Sequence, residues 1–282
     1  MAIGGFRKFL TTFSSIFTLA ALALVVFAIV GPVKKSALDT IHFIRFDLSN
    51  INLASIASDS GIAETLANAA ESITFSAEDF GFSNTYIFTA WGYCESNGTG
   101  ASASMKYCTS PEALYYLDPQ TFLQEQLDSN AYSSVVTELI GSDQPIQITL
   151  PSEISTYTNT IEAVSKLIFI CGFIAIGALA LNFINNYFAK RSHILSCGSF
   201  LLSFIGSVAL LLTAAASTGM WVLVETKFNK ELESTGAKAH IDPVYYGLIW
   251  GALGAGFCST IGWMFAICCG STNVEDYEDY KE

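Results

Sequence analysis

The stretch VSKLIFICGFIAIGALALNFINNYF, residues 164–188, decides the fold. An α-helix needs roughly 20 apolar residues to cross about 30 Å of hydrocarbon, and this stretch carries no ionised side chain in its middle. Three other stretches have the same character, at residues 9–30, 194–224 and 244–269. The sequence therefore predicts an integral membrane protein that is mainly α-helical and built on a four-transmembrane-helix bundle.

The composition supports a membrane protein rather than a soluble globule. Hydrophobic residues make up 51% of the chain and charged residues only 13%, and the mean hydropathy is +0.45. A cleaved secretory signal is an alternative for the first stretch, because a signal also has a basic start followed by an apolar run. The run at residues 9–30 is longer than a typical signal core, so a membrane span is predicted there.

Short basic flanks predict the orientation. Four spans place both termini on the same side, and the basic pairs at residues 7–8 and 190–191 both fall in the cytoplasm if the positive-inside bias is followed. The basic pair at residues 34–35 disagrees, but the long segment after it is strongly acidic and contains a cysteine pair. A multi-pass membrane protein with both termini in the cytoplasm is predicted.

The predicted organisation follows from these spans and sides. It runs through a cytoplasmic N-terminus (1–8), transmembrane helix 1 (9–31), an extracellular disulfide-containing domain (32–163), transmembrane helix 2 (164–188), a cytoplasmic turn (189–193), transmembrane helix 3 (194–224), a short extracellular loop (225–243), transmembrane helix 4 (244–269) and an acidic cytoplasmic tail (270–282).

The large outer segment, residues 32–163, carries the acidity of the chain. It holds four basic and sixteen acidic residues, a difference that equals the formal charge of −12 of the whole protein. Nucleic acid is therefore excluded as an expected partner. Strands are predicted at residues 41–53 and 85–94 and helices at 61–73 and 118–141, so that this segment forms a small α+β extracellular domain.

The segment WGYCESNGTGASASMKYC, residues 91–108, contains the only two cysteines of this domain. An oxidising compartment would join Cys94 to Cys108, and two free thiols are the alternative. Zinc is disfavoured because no histidine lies nearby and two ligands do not complete a site. Asn97 begins an Asn-Gly-Thr acceptor for N-glycosylation, and its occupancy is an open question.

The fourth apolar stretch has small residues at four-residue spacing, which places them on one helical face: Gly247, Gly251, Ala255 and Ser259. Such a face allows close helix packing, either inside one four-helix bundle or laterally between protomers. The third stretch also offers small side chains, at Ser199, Ser203 and residues 206–207, so these two helices are predicted to pack together.

Nothing in the sequence indicates catalysis, a cofactor or a metal site. The three histidines fall in three separate segments, and no nucleophile motif is present. Deep positions of the spans carry only Ser, Thr, Cys and an occasional Asn, and Asn182 is placed near the end of its span, where it can reach the interface. A conducting pathway through one protomer is therefore not expected.

Two cysteines lie at the cytoplasmic end of the fourth stretch, Cys268 and Cys269. Reversible S-palmitoylation is chemically accessible at this boundary, and unmodified thiols are the alternative. The tail that follows is acidic and too short to fold, so it is either a solvated terminus or a docking peptide.

The order of these features resembles the fungal Sur-seven/PalI family. The resemblance rests on the first span, the Trp-Gly-Tyr-Cys of residues 91–94 with a second Cys at 108, the YYLDP of residues 115–119, and the run at 150–170 leading into three close spans. The outer-loop motif also looks like that of the claudins. The residues that match the claudin motif are Trp91, Gly92, Cys94 and Cys108. The chain ends soon after the fourth span, unlike PalI-type members with long polar tails, and this favours the cortical branch.

The resemblance implies a non-enzymatic structural or organising protein of the fungal plasma membrane. It would belong to cortical patches, eisosome-type membrane compartments, and serve cell-wall integrity and endocytosis. Its expected partners are the lipid bilayer, related four-span proteins in lateral homo- or hetero-oligomers, and cortical scaffold proteins. Two alternatives remain: a PalI-type accessory subunit of an ambient-pH-sensing receptor, and a claudin-like facilitator of calcium influx in mating or polarised growth.

Overall fold

Four long helices and five strands make up the described part of the chain. The computed structural model describes residues 2–31, 41–49, 83–97, 104–118, 121–122, 125–126, 152–189, 193–231 and 237–268. The long helices are α1 (Ala2–Ile29), α2 (Ser152–Ala189), α3 (His193–Glu231) and α4 (Pro243–Cys268). The strands are β1 (Ile44–Asp47), β2 (Thr85–Phe88), β3 (Tyr93–Asn97), β4 (Ser104–Cys108) and β5 (Lys238–Ile241).

All four helices contain segments long and apolar enough to cross a membrane. These segments are Lys8–Ile29, Thr158–Phe188, Ile194–Lys230 and Pro243–Cys268. The predicted integral membrane fold with four spans is therefore confirmed. The division of the chain into cytoplasmic, membrane and extracellular segments stays a prediction, because it also assigns sides.

The chain divides into two compact units. The bundle unit comprises residues 1–30, 167–215 and 246–282, and the sheet unit comprises residues 31–166 and 216–245. Helices α2 and α3 each contribute to both units, because each is far longer than the roughly 20 residues that a bilayer requires.

Polar side chains connect the helices of the bundle unit. The hydroxyl groups of Thr18 on α1 and Ser259 on α4 lie 2.7 Å apart. Ser203 of α3 donates to the hydroxyl of Ser259 at 3.1 Å, and its own oxygen lies 3.0 Å from that of Thr260. The prediction that the third and fourth spans pack together through small residues is confirmed by these contacts.

Asn182 does not lie where the sequence placed it. Its side chain is completely buried, and its amide nitrogen donates to the hydroxyl of Thr18 at 3.4 Å. The expectation that Asn182 reaches the membrane interface is wrong. A short amide on the inner face of a helix cannot extend past its neighbours as a long lysine can, so it stays inside and bonds to another helix.

The sheet unit contains a five-stranded antiparallel sheet in the order β4-β3-β2-β1-β5. The predicted strand at residues 41–53 corresponds to the shorter β1. The single strand predicted at 85–94 is instead two strands, β2 and β3, joined by a tight turn at residues 89–92. The predicted helix at 61–73 lies outside the described residues, and residues 121–122 and 125–126 of the helix predicted at 118–141 are helical.

Strand β5 was not predicted and comes from the connection between α3 and α4. It pairs with β1 so that Arg45 lies opposite His240 and Phe46 opposite Ala239. The sheet is therefore built from the connection between α1 and α2 together with the connection between α3 and α4, and not from the first one alone. Aromatic contacts continue its core onto α3, where Phe228 packs edge-on against Phe46 with ring centroids 4.6 Å apart.

Candidate functional site

The outer-loop motif lies at one end of the sheet, where β3 meets β4. Cys94 and Cys108 face each other in register and form a disulfide. The pairing proposed from the sequence is therefore present. The bond joins the edge strand β4 to β3, and on the chain-entropy model a loop of this length contributes up to about 3 kcal/mol.

A tight turn explains the Trp-Gly dipeptide of the motif. The backbone nitrogen of Thr89 donates to the carbonyl of Gly92 at 2.9 Å, and the backbone nitrogen of Trp91 donates to the hydroxyl of Thr89 at 3.2 Å. Gly92 has φ +152°, and a Cβ atom at this position would collide with the hydroxyl of Thr109. Only glycine fits, because the chain turns here against the end of β4.

Thr109 extends the strand pairing past the disulfide. Its backbone nitrogen donates to the carbonyl of Tyr93 at 3.0 Å, and the backbone nitrogen of Tyr93 donates to the hydroxyl of Thr109 at 3.1 Å. The side chain of Trp91 is half-buried rather than central to the core. The backbone carbonyl of Trp91 accepts a hydrogen bond from the backbone nitrogen of Glu112. The motif is thus a closed backbone corner with one partly accessible aromatic ring.

A buried amide, Gln126, links three side chains of the sheet. Its nitrogen donates to the hydroxyl of Tyr93 at 3.1 Å and to the carboxylate of Glu95 at 3.0 Å, while its oxygen accepts from the hydroxyl of Tyr86 at 3.3 Å. Glu95 also accepts from the hydroxyl of Ser83. Gln126 is only 5% exposed, so its full set of partners offsets the cost of burying it.

Phe122 lies beside this network and fills a space between aromatic rings of β2 and β3. It packs edge-on against Tyr86 at 5.0 Å, Tyr93 at 5.1 Å and Phe88 at 5.5 Å between ring centroids. Edge-to-face geometry of this kind is favourable. The segment around residues 122–126 is thereby fixed to one face of the sheet.

Burial changes the acidity of the tyrosines in this region. Desolvation raises the pKa of Tyr86 well above its ordinary value, with a smaller contribution from the negative charge of Glu95. Burial also raises the pKa of Tyr93 and of Tyr115. All three phenols therefore stay neutral at physiological pH and act as hydrogen-bonding groups.

Asp242 joins the sheet to the start of α4. Its two carboxylate oxygens accept the backbone N–H groups of Val244 and Tyr245, which caps the first turn of the helix. The oxygen that caps Tyr245 also accepts the backbone N–H of His42 at 3.0 Å, and the imidazole Nδ1 of His42 lies 3.9 Å away. The signal for this cap in the sequence is the Asp-Pro pair at residues 242–243.

Asn229 of α3 closes the outer edge of β5. Its amide oxygen accepts the backbone N–H of Ala239 at 2.7 Å, and its amide nitrogen donates to the carbonyl of the same residue at 3.0 Å. The side chain therefore takes the place of a neighbouring strand at this edge. No sequence pattern indicates such a contact, because it depends on where a helix passes a strand that is not itself predicted.

The small-residue face of α4 is divided between two environments. Ser259 is buried and bonded inside the bundle unit, whereas Gly247 and Gly251 are exposed, and Ala255 lies between these extremes. A Cβ added at Gly247 or at Gly254 would meet no atom within 4 Å. Packing within the bundle therefore accounts for the Ser259 end of this face. At the other end a Cβ at Gly251 would lie 3.5 Å from Leu24 of α1, and the face is open at Gly247.

The proposed modification sites are placed as follows. Asn97 is the last residue of β3, paired with Ser104. Cys268 is exposed at the end of α4, and Cys269 lies outside the described residues. Glycosylation and acylation both stay predictions. Among the described residues, no group of three or more His, Cys, Asp or Glu side chains is arranged to hold a metal ion.

Comparisons with known proteins agree with this architecture. The chain is 24% identical to Protein PUN1 of Saccharomyces cerevisiae over 261 residues, which covers 91% of each chain. No solved structure matches it. Four membrane-spanning helices with a small antiparallel sheet fit the claudin-like four-span fold. The model of the SUR7/PalI family matches residues 10–262, and the chain therefore belongs to the SUR7/PalI family of membrane proteins.

Proposed function

We propose that this protein is a non-enzymatic organiser of the fungal plasma membrane that resides in cortical patches of the eisosome type. The observation that carries the proposal is the family match over nearly the whole chain, together with four spans and a disulfide-closed sheet. Cell-wall integrity and endocytosis are the processes it would serve. Its partners would be the lipid bilayer, other four-span proteins and scaffold proteins beneath the membrane.

The physical mechanism of the proposal is lateral association through the open end of the small-residue face. Gly247 and Gly254 lie seven residues apart and therefore on the same side of α4, with Gly251 near them. Exposed glycines allow a second helix to approach closely, and packing of this kind drives association in lipid, where the hydrophobic effect does not. Large apolar side chains elsewhere on the bundle unit, such as Phe9 and Ile184, are also exposed, as expected for surfaces that face lipid.

A fluorescent fusion of the full chain, imaged in fungal cells, tests the proposal. We expect static cortical patches that disperse when the patch scaffold is deleted. Uniform membrane fluorescence, unaffected by the scaffold, would contradict the organiser role. Failure to grow at alkaline pH after deletion of the protein would favour the pH-sensing accessory subunit, and loss of calcium uptake would favour the calcium facilitator.

The association surface has its own test with a matched control. Gly247→Leu places a large side chain on the open face, and Gly177→Leu makes the same change on α2, where a Cβ would also meet no atom within 4 Å. We expect Gly247→Leu to reduce clustering and chemical cross-linking between differently tagged copies, while Gly177→Leu leaves both unchanged. Equal behaviour of the two variants would contradict lateral packing through α4.

A further inference from the structure

The bundle unit contains a layer of four polar side chains, one from each helix. They are Ser14 of α1, Asn186 of α2, Ser199 of α3 and Trp263 of α4. Ser14, Ser199 and Trp263 are completely buried, and Asn186 is 4% exposed. A polar group buried between membrane helices is costly unless it has a hydrogen-bond partner, so the partners of each member of the layer must be identified.

The helix register places these four residues at one level. Helices α1 and α2 run antiparallel, since Gly172 of α2 lies against Ile29 of α1 whereas Asn182 reaches Thr18. The next two pairs do the same: Gly206 of α3 lies against Leu179 whereas Ser199 meets Asn185, and Gly256 of α4 lies against Leu210 whereas Thr260 meets Ser203. Thr18, Asn182, Ser203 and Ser259 form the connected network described above. A step of four residues along each helix, one turn toward the N-terminus of α1, leads from that network to Ser14, Asn186, Ser199 and Trp263.

Contacts around the layer agree with this register. A Cβ atom at Gly262, next to Trp263, would collide with the hydroxyl of Ser14, so these two helices touch at this level. On the other side, the amide nitrogen of Asn185 donates to the hydroxyl of Ser199 at 2.9 Å. The layer is therefore bounded by close helix contacts on two sides.

The hydrogen-bonding capacity of the layer is largely unused. Among the described residues, the hydroxyl oxygen of Ser14, both polar atoms of the Asn186 amide and the indole nitrogen of Trp263 have no hydrogen-bond partner. The carbonyl oxygen of Asn182, one turn away, is likewise unpartnered within the described chain. Three members of the layer and Asn182 thus leave donors and acceptors unsatisfied in two adjoining turns, whereas Ser199 and the hydroxyl groups of the neighbouring network are all bonded.

We propose that this layer is a binding site for an uncharged hydroxyl group inside the membrane bundle. The indole of Trp263 can only donate, so its partner must accept, whereas the carbonyl oxygens of Asn182 and Asn186 need a donor. A hydroxyl supplies both functions. None of the four residues is ionised, so the site offers no countercharge to a phosphate, carboxylate or ammonium group. The hydroxyl belongs either to internal water or to a lipid alcohol, and the two sources are experimentally separable.

The test reads the indole N–H of Trp263 in the full chain. The protein is labelled with ¹⁵N in its tryptophan indoles and placed in nanodiscs of phosphatidylcholine, which has no hydroxyl group, and Trp263→Phe assigns the resonance. If water occupies the layer, a magnetisation-transfer peak between the indole proton and water appears in nanodiscs of phosphatidylcholine without any added lipid alcohol. A lipid alcohol instead shifts the indole resonance only when ceramide is added to the nanodiscs.

Variants within the layer decide whether the response belongs to this site. Asn186→Leu and, in a separate variant, Ser14→Ala each remove a side chain that would hydrogen-bond to the bound hydroxyl group. We expect each variant to abolish the water peak or the ceramide-dependent shift. Phe183→Leu changes an exposed side chain on the same helix and should leave the response intact. If the indole of Trp263 shows neither a water peak nor a ceramide-dependent shift, or if both layer variants retain the response, the proposed site does not exist.

Discussion

At the scale of single residues, Gly92 shows how one backbone conformation determines the outer-loop motif. Its φ of +152° is unfavourable for residues with a side chain, and its hydrogens face Thr109, whose hydroxyl bonds to the backbone of Tyr93. Glycine is required at this position, because any Cβ atom would displace Thr109 from the end of β4.

We therefore predict that Gly92→Ala lowers the free energy of unfolding of the sheet unit by about 1–3 kcal/mol. Thermal unfolding of the purified full chain in detergent measures the change. Gly219→Ala, on α3 in the same unit, is the matched control, because a Cβ there meets no atom within 4 Å. Equal stability of Gly92→Ala and the parent chain would show that the turn rearranges at little cost.

Tyr86 leads to a prediction about pH. Burial raises its pKa above the ordinary value of about 10 for tyrosine, because the phenolate would lose its hydration. The unfolded chain releases this proton above about pH 10 while the folded chain retains it, so the contribution of Tyr86 to stability is complete below that pH and is lost as the pH rises beyond it.

We expect the unfolding temperature to fall as the pH is raised above about 10, and to fall less steeply in Tyr86→Phe. The slope is reduced and not abolished, since the pKa of Tyr93 and of Tyr115 is raised in the same direction. Tyr107→Phe, which alters an exposed tyrosine on β4, serves as the matched control. An unchanged slope in Tyr86→Phe would mean that this phenol ionises equally well in the folded chain.

At the scale of elements, β5 is held by two different kinds of neighbour. On one side it pairs with β1, and on the other the amide of Asn229 bonds to both backbone groups of Ala239. An edge strand with unpaired backbone groups is open to pairing with other chains. Asn229 closes that edge at its central position, so the second loop is fixed to the sheet by a side chain from α3.

We predict that Asn229→Ala lowers stability by about 1–3 kcal/mol, because it leaves the N–H and carbonyl of Ala239 without their present partners. Hydrogen exchange followed by mass spectrometry should show faster exchange in residues 238–241. Asn229→Asp retains an acceptor for the N–H but loses the donor, and an intermediate effect is expected. Thr226→Ala is the control, because its hydroxyl is exposed and bonds only within α3. Unaltered exchange of β5 in Asn229→Ala would contradict this role.

The same elements show what could be predicted from the sequence. The four spans were evident because hydrocarbon permits only structures that satisfy their own backbone, and a long apolar run then has one solution. The disulfide followed from the predicted compartment and the isolation of Cys94 and Cys108 in one domain. In contrast, β5 is four residues long and its partner β1 is nearly two hundred residues away, so no local pattern records the pairing.

Polar contacts inside the protein were the least predictable part. Gln126, Asn229 and Asn182 each have a polarity that favours solvent, yet each is placed by its contact with another element of the fold. Hydropathy describes how a segment partitions between water and lipid, and it does not describe which side of a helix faces another helix. Of the network formed by Thr18, Ser203 and Ser259, the sequence indicated only the two serines, as small residues available for packing.

At the scale of the whole molecule, the functional proposal depends on which side of the membrane the sheet occupies. An extracellular sheet is consistent with a disulfide, an Asn97 acceptor and a strongly acidic loop, and with basic flanks that stay in the cytoplasm. A cytoplasmic sheet would place the disulfide in a reducing compartment. The orientation therefore links the chemistry of residues 91–108 to the proposed cortical role.

We predict that Glu112→Cys, exposed in the sheet unit, reacts with a membrane-impermeant maleimide on intact cells. Lys8→Cys, exposed near the start of the first span, should react only after permeabilisation. The parent chain, with Cys94 and Cys108 joined, gives the background in each condition. The physical reason is that the bilayer excludes the charged reagent, so labelling reports only the side on which a thiol lies. Reaction of Lys8→Cys on intact cells, with Glu112→Cys protected, would reverse the topology and remove the basis for an organiser that presents its sheet to the cell wall.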